Sequence, residues 1–233
     1  MSFTPKTVLV CTPHPDDAEI GAGGTIAKWA KEGAKVVLVV CTNGDKGSAD
    51  PEMTSARLAA IREKEQRAAA KVLGVSEVVF LNHSDSELED NREFRGDLVR
   101  EIRRHKPDVV MTTDPHRRGF YQHRDHRITG QVTMDAVFPL SRDHLSFPEH
   151  KELGLEPHKT GYVYLWGSDN ADTHIDISDT LSTKIEALKR HESQIAPRRN
   201  VDFEKFMREN AERAGKENGL KVAESFRVIE MRR

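Results

Sequence analysis

The sequence predicts an α/β fold, a doubly wound, mostly parallel sheet with helices on both faces. Three observations carry that expectation. Four short runs rich in β-branched residues, at 7–12, 35–42, 76–82 and 108–114, are apolar continuously rather than alternately. That is the pattern of strands buried on both faces. Segments of helical periodicity lie between them, so the chain reads as repeated βα units. Each run also ends in a polar cluster: TPHPDD, TNGDKGS, NHSDSEL and DPHRRGFYQHRDH. Open parallel sheets bind their ligands beyond the carboxyl ends of their strands, so four loops are expected to converge on one rim.

The elements follow in order. TVLVCT is the first strand, and a helix is expected over about 23–31. Gly21, Gly23 and Gly24 do not complete a dinucleotide fingerprint and read as a tight turn with close helix packing. KVVLVVCT is the second strand, followed by a helix over about 55–73 that Gly74 closes. SEVVFLN precedes a helix from about 91 to 105, stopped before Pro107. DVVMTTD is the fourth strand, GYVYLWG and THIDIS read as two more, and a helix capped by Ser178 is expected over about 179–194. A charged, weakly amphipathic helix within 201–219 and a last strand-like piece, ESFRVIEM, end the chain. With no repeat or linker, these elements make one Rossmann-like domain over residues 1–233.

The 233 residues are enough to bury one substantial core. A formal net charge of −2, with 32% charged residues, argues against nucleic acid or an anionic membrane as the main partner. No apolar run approaches the roughly 20 residues that span a bilayer, and the start shows no basic segment followed by an apolar core. The two cysteines, Cys11 and Cys41, each end an apolar run and read as reduced, buried thiols. The expectation is a cytoplasmic protein. Its oligomeric state, including homo-oligomerisation, is left open.

The polar clusters carry the chemistry. His14 and Asp17 stand three positions apart in a turn, near enough to share one cation, and a nitrogen with a carboxylate oxygen suits zinc or a similar borderline metal. Asp16 then stays beside the metal, free to take a proton. The rival reading is that Asp16 and Asp17 cap the next helix and favour its dipole. YQHRDHR shifts the balance, because it offers His123 and His126 with Asp125 between them. One histidine would complete a three-ligand catalytic metal site. The other would act on substrate, with Asp125 fixing its tautomer and raising its pKa. The rival here is a solvated basic loop, since Arg117, Arg118, Arg124 and Arg127 crowd the same stretch.

At this point the chain resembles the PIG-L/LmbE-like family of zinc-dependent N-deacetylases, which remove acetyl groups from N-acetylglucosamine-type amides. The matching motifs are PHPDDAEIGAGGT, TNGDKGS, RLAAIREKEQRAAAKVLGV, HRDHR, SRDHLSFPE and KIEALKRHESQ, in that order over 8–194. The resemblance implies one Zn2+ per chain (another divalent metal being an alternative) held by His14, Asp17 and His126. It implies Asp16 as general base, and His123, paired with Asp125, as stabiliser of the oxyanion or proton donor to the amine. Tyr121 matches a tyrosine that approaches the same oxyanion. Arg62 matches an arginine near the sugar, and Arg142 one that faces the substrate. Arg124 departs from the pattern, standing where several members carry proline.

Other positions keep two readings. Asp85, on a rim loop, is placed to accept from a sugar hydroxyl or to shape a turn. Arg62 equally reads as half of a surface ion pair, and Arg142 as an anchor for its loop. Glu65 falls on the apolar stripe of its helix and is expected to be paired. His191, near a helix C-terminus, is a cation that the helix dipole welcomes without any further role. The expected partner is an acetylated amino sugar or its conjugate. The expected reaction is attack of metal-bound water on the acetyl carbonyl, with Asp16 taking its proton. Two rivals use the same residues: another metal-dependent amide or ester hydrolase, and a non-catalytic, metal-containing glycan-binding protein.

Overall fold

The fold is seen in a computed structural model that describes residues 4–118, 122–196 and 202–231. Seven strands form one sheet: β1 (Thr7–Thr12), β2 (Lys35–Thr42), β3 (Glu77–His83), β4 (Val109–Thr113), β5 (Tyr162–Trp166), β6 (Thr173–Asp176) and β7 (Ala223–Glu230). Their spatial order is β3-β2-β1-β4-β5-β7-β6. The first five are parallel, and β7 runs antiparallel between β5 and β6.

Continuous apolarity in the central strands has the expected cause. Val8, Val10, Val36, Leu38 and Val40 face one layer, where α1 (Asp17–Lys31) and α2 (Ser55–Leu73) contribute Ile26, Trp29 and Leu73. Leu9, Cys11, Val37 and Val39 face the other layer, where α3 (Arg92–His105) and α4 (Arg124–Val137) contribute Leu98, Ile102, Val132 and Val137. The chain winds outward from β1 to β3 and returns to β4 on the other side of β1. The loops after β1 and β4 therefore leave the sheet side by side at the point where winding reverses, the usual place for a ligand. Among the described residues no helix is long and apolar enough to cross a membrane.

Three elements differ from expectation. Helix α1 begins at Asp17, so its glycines lie inside the helix and not in a turn. Their role is close approach, because a Cβ on Gly24 would sit 2.7 Å from Ile177 Cδ1. The helix expected over 179–194 is two pieces, α5 (Leu181–Leu188) and α6 (Glu192–Ile195), with His191 at the break. Ser178 does not cap α5; its N–H and hydroxyl both donate to the Asp176 carboxylate, and Thr180 takes the N-cap position. Helix α4 was not anticipated, although Ile128, Val132 and Ala136 follow one another at four-residue helical spacing. The charged C-terminal helix is α7 (Phe203–Lys216).

Candidate metal and active site

The turn after β1 brings His14, Asp16 and Asp17 to the rim. Asp16 occupies the N-cap position of α1, but its side chain makes no capping bond and its backbone is left-handed, with φ 99°. The capping explanation for this carboxylate therefore fails. Across the switch point, His123 is the N-cap of α4, and its Nδ1 accepts the N–H of Asp125 at 3.2 Å. Asp125 and His126 lie in the first turn of that helix. Arg124 opens α4 at a position that also suits proline, and its Nε donates to the Leu88 carbonyl at 3.0 Å.

Both histidine loops meet at Asp17. Its Oδ2 lies 2.9 Å from His14 Nδ1 and 3.1 Å from His126 Nε2. Two donor groups share His14: one with His123 and His126, the other with Asp85 and Asp125, each group having its ligand atoms within 4.8 Å of one another. In the second group Asp125 is already committed. Its fully buried carboxylate accepts the Ser86 N–H at 2.6 Å, the Leu88 N–H at 3.3 Å and a contact with His14 Nε2 at 3.0 Å. A carboxylate so held suits bracing a ligating imidazole from behind. His14 Nδ1 and His126 Nε2 also converge on Asp17 Oδ2, so His14, Asp17 and His126 form a third set that could hold a metal.

Electrostatics support a cation here. Burial opposes charge on His14, yet Asp125, Asp17 and Asp85 together push its pKa up to about 12. Burial likewise works against the charge on Asp17, but His126 and His14 hold it well below the usual carboxylate range. Of the four carboxylates gathered here, Asp16 and Asp85 lie 3.6 and 3.7 Å from the Arg62 guanidinium, while Asp17 and Asp125 pair with His14 and His126. Carboxylates this crowded stay ionised only with further positive charge among them. A divalent metal on nitrogen and oxygen donors fits that demand. Asp16 behaves differently: burial and Asp17 raise its pKa to about 6, against the opposing pull of Arg62, His191 and His14.

The sequence-derived residues mostly meet around one cavity of about 210 Å³, lined by His14, Asp16, Asp17, Arg62, Asp85 and His123 among others. Their pairings differ from expectation in several places. Asp125 is not bonded through its carboxylate to His123; only its backbone N–H reaches that ring. Nor is His123 made more basic. Burial, with His14 and His126 nearby, lowers its pKa below 6.5, outweighing Asp125 and Asp85. Since Nδ1 is an acceptor, the neutral ring carries its proton on Nε2.

Arg62 is buried, not a surface partner, and donates to the carbonyls of Pro15 (2.7 Å) and Gly44 (3.2 Å). Asp85 turns into the ionic cluster, with Oδ1 3.2 Å from His14 Nε2 and Oδ2 3.7 Å from Arg62. Arg142 does not line the cavity; its guanidinium lies over the Phe138 ring, 5.4 Å from the centroid. Tyr121 lies outside the described residues. Glu65 is paired, accepting the N–H and hydroxyl of Ser193 at 2.8 and 2.7 Å. His191 is fully buried, with its Nε2 3.6 Å from Glu19, and is more than a solvated helix-end cation.

Sequence reasoning missed three participants. Lys46 and Gln194 line the cavity, and Lys46 ties two rim loops together by donating to the Asp85 carbonyl (2.6 Å) and Ser84 hydroxyl (3.0 Å). Gln66 accepts the Asp16 N–H at 3.1 Å. One signal was available for it: a glutamine one turn beyond Arg62, on the stripe that also carries Ala69 and Leu73.

A family model described as PIG-L, GlcNAc-PI de-N-acetylase, matches residues 9–137, more than half the chain. The chain belongs to the PIG-L family. The diacetylchitobiose deacetylase of Thermococcus kodakarensis is 35% identical to this PIG-L chain over 226 residues, covering 96% of it and 83% of the relative. A 1D-myo-inositol 2-acetamido-2-deoxy-alpha-D-glucopyranoside deacetylase of Thermomonospora curvata is 32% identical over 180 residues, covering 65% of this chain and 57% of that one. Among solved structures, the N,N′-diacetylchitobiose deacetylase of Pyrococcus horikoshii, in complex with its inhibitor MPG, superimposes on this PIG-L chain with a TM-score of 0.91. The two are 34% identical, and the match covers 97% of this chain and 84% of the other.

Proposed function

We propose that this PIG-L protein is a zinc-dependent hydrolase that removes the acetyl group from an N-acetylglucosamine-type amide, giving acetate and a free amine. One observation carries the reading. Asp16 is a cavity carboxylate that caps no helix, stands beside the three-residue donor set and has its pKa raised to about 6, as a general base near neutrality requires. The names of the relatives, diacetylchitobiose deacetylase and 1D-myo-inositol 2-acetamido-2-deoxy-alpha-D-glucopyranoside deacetylase, support the amino-sugar amide as the bond attacked.

A metal ion held by His14, Asp17 and His126 would polarise the acetyl carbonyl and make water easier to deprotonate. The chain's own residues do the rest. Asp16 accepts the proton of the attacking water as its oxygen bonds to the acetyl carbon. His123, neutral and protonated on Nε2, offers a hydrogen bond to the carbonyl oxygen as negative charge develops there. A neutral imidazole does not surrender its only N–H proton near pH 7, so delivery to the amine nitrogen falls to Asp16. The carbon–nitrogen bond then breaks, and acetate and amine leave. Arg62 keeps Asp16 ionised at rest through its guanidinium, 3.6 Å away. Asp85 lines the cavity and keeps Oδ2, 3.7 Å from Arg62, able to accept from a sugar hydroxyl, while Lys46, donating to Ser84, Asp85 and Glu87, fixes the rim loops.

The test is acetate release from zinc-loaded protein with N-acetylglucosamine, N,N′-diacetylchitobiose and N-acetylglucosaminyl-inositol. Equimolar acetate and amine are expected, abolished by chelation and restored by added zinc. Sugar binding without acetate would favour the non-catalytic reading, and turnover of simple esters alone would favour a different hydrolase.

A further inference from the structure

Helix α2 grips a single peptide group, the one joining Pro15 to Asp16. Arg62 donates to its carbonyl, Pro15 O, at 2.7 Å, and Gln66, one turn later on the same buried face, accepts its N–H at 3.1 Å. The plane of this peptide is therefore fixed from both edges by one rigid element. Asp16 itself adopts φ 99°, a left-handed conformation uncommon outside glycine, though asparagine and aspartate take it more readily than other L-residues. The rotation about the Asp16 N–Cα bond decides where the carboxylate points, and α1 begins at the next residue.

Gln66 is itself oriented. Its Nε2 donates to Glu19 Oε1 at 2.7 Å, which leaves Oε1 as the atom aimed at Asp16. Both side chains are fully buried. Behind them, Glu19 Oε2 has no hydrogen-bond partner and faces His191 Nε2 at 3.6 Å. His191 stands at the start of α6, whose Gln194 lines the cavity. This amide thus connects the Asp16 turn to a buried polar chain that no step of the proposed reaction uses.

We infer that Gln66 is a positioning residue: it holds the Pro15–Asp16 peptide so that the Asp16 carboxylate faces the cavity and not the start of α1. The inference rests on the proposed role of Asp16. Without the amide acceptor, the half-buried Asp16 N–H is left unpaired within the protein, and rotation of the peptide toward another acceptor becomes favourable. Rotation would carry the carboxylate away from the substrate carbonyl while leaving the metal donors in place. Misplacing a reacting group by about 1 Å costs on the order of a hundredfold in rate.

The test uses Gln66→Met, which keeps the volume and removes both polar groups, in the full-length zinc-loaded protein. A kcat lowered about a hundredfold, with KM and zinc content unchanged, is expected. A crystal structure of the variant should show residue 16 moved away from φ 99°. A kcat within about threefold of wild type, a loss that follows zinc content, or an unchanged φ would each overturn the inference. The paired exchange Gln66→Glu with Glu19→Gln restores an acceptor for the Asp16 N–H and the bond behind it. It should recover at least tenfold in kcat over Gln66→Met or, if that variant fails to fold, lie within about tenfold of wild type; no recovery would count against positioning. If wild type releases no acetate, the deacetylase reading fails, while comparison of the wild-type and variant crystal structures still decides whether Gln66 orients Asp16.

Discussion

Asp125→Asn separates two roles that the sequence left joined. In the structure the Asp125 carboxylate meets His14 Nε2 at 3.0 Å, and the hydrogen bond to His123 comes from the Asp125 backbone N–H. Asparagine keeps the shape and one acceptor oxygen. With that oxygen turned toward Ser86 N–H and His14, the amide NH2 faces Leu88 N–H, whose bond at 3.3 Å is the weaker of the two backbone contacts. The buried Leu88 N–H loses its acceptor, which costs about 1–3 kcal/mol of stability, and the second change is loss of negative charge behind His14. A hydrogen bond to a charged group is worth roughly 1.5–3 kcal/mol, about ten- to a hundredfold in an equilibrium constant. Losses on removing the outer partner of a metal-bound histidine fall in the same range, about 10–100-fold. Zinc affinity measured by competition with a chromophoric chelator should therefore fall by about that factor, with the folded state retained by circular dichroism. Affinity within twofold of wild type, accompanied by a loss in kcat alone, would mean that Asp125 serves His123 after all.

Three further outcomes are expected. Asp16→Asn should keep its zinc by elemental analysis while turnover falls by roughly 10²–10⁴-fold, the range for a general base; zinc lost in step with activity would make Asp16 a ligand. The profile of kcat/KM against pH should show an acid limb at about pH 6 or below. Asp16 is raised to about 6, a bound cation favours its ionised form, and the active carboxylate is lost as pH falls through its pKa. Burial, with His14 and His126, lowers the His123 pKa, so the ring is neutral at pH 7 and above, and a basic limb between pH 7 and 9 abolished by His123→Gln would contradict its role. Arg103→Met should destabilise the fold by about 3 kcal/mol. Buried Arg103 donates to the carbonyls of Leu140, Asp143, Ser146 and Phe147. Calorimetry should find Tm lowered by about 6–12 °C, and a shift under 2 °C would show that this loop holds itself.

What could be read from the sequence was what is encoded locally. The central strands were legible because burial on both faces demands an unbroken apolar run, and β1, β2 and β4 each supply one within a few residues. Helices α2 and α3 were legible because Gly74 ends one and Pro107 follows the other. The grouping of His14, Asp16 and Asp17 was legible because it lies within a single turn. Family resemblance then named His126 as their partner. The choice among acceptors was not local. Asp125 is two residues from His123 but pairs with His14, 111 residues away in sequence, because the N-terminus of α4 points the Asp125 carboxylate toward the turn after β1. Gln66 reaches Asp16 across 50 residues only because α2 packs beside α1. Composition places no constraint on such distances. The direction of a buried side chain is set by the packing of the elements that carry it, and that packing alone decided which carboxylate stands behind His14 and which lines the cavity.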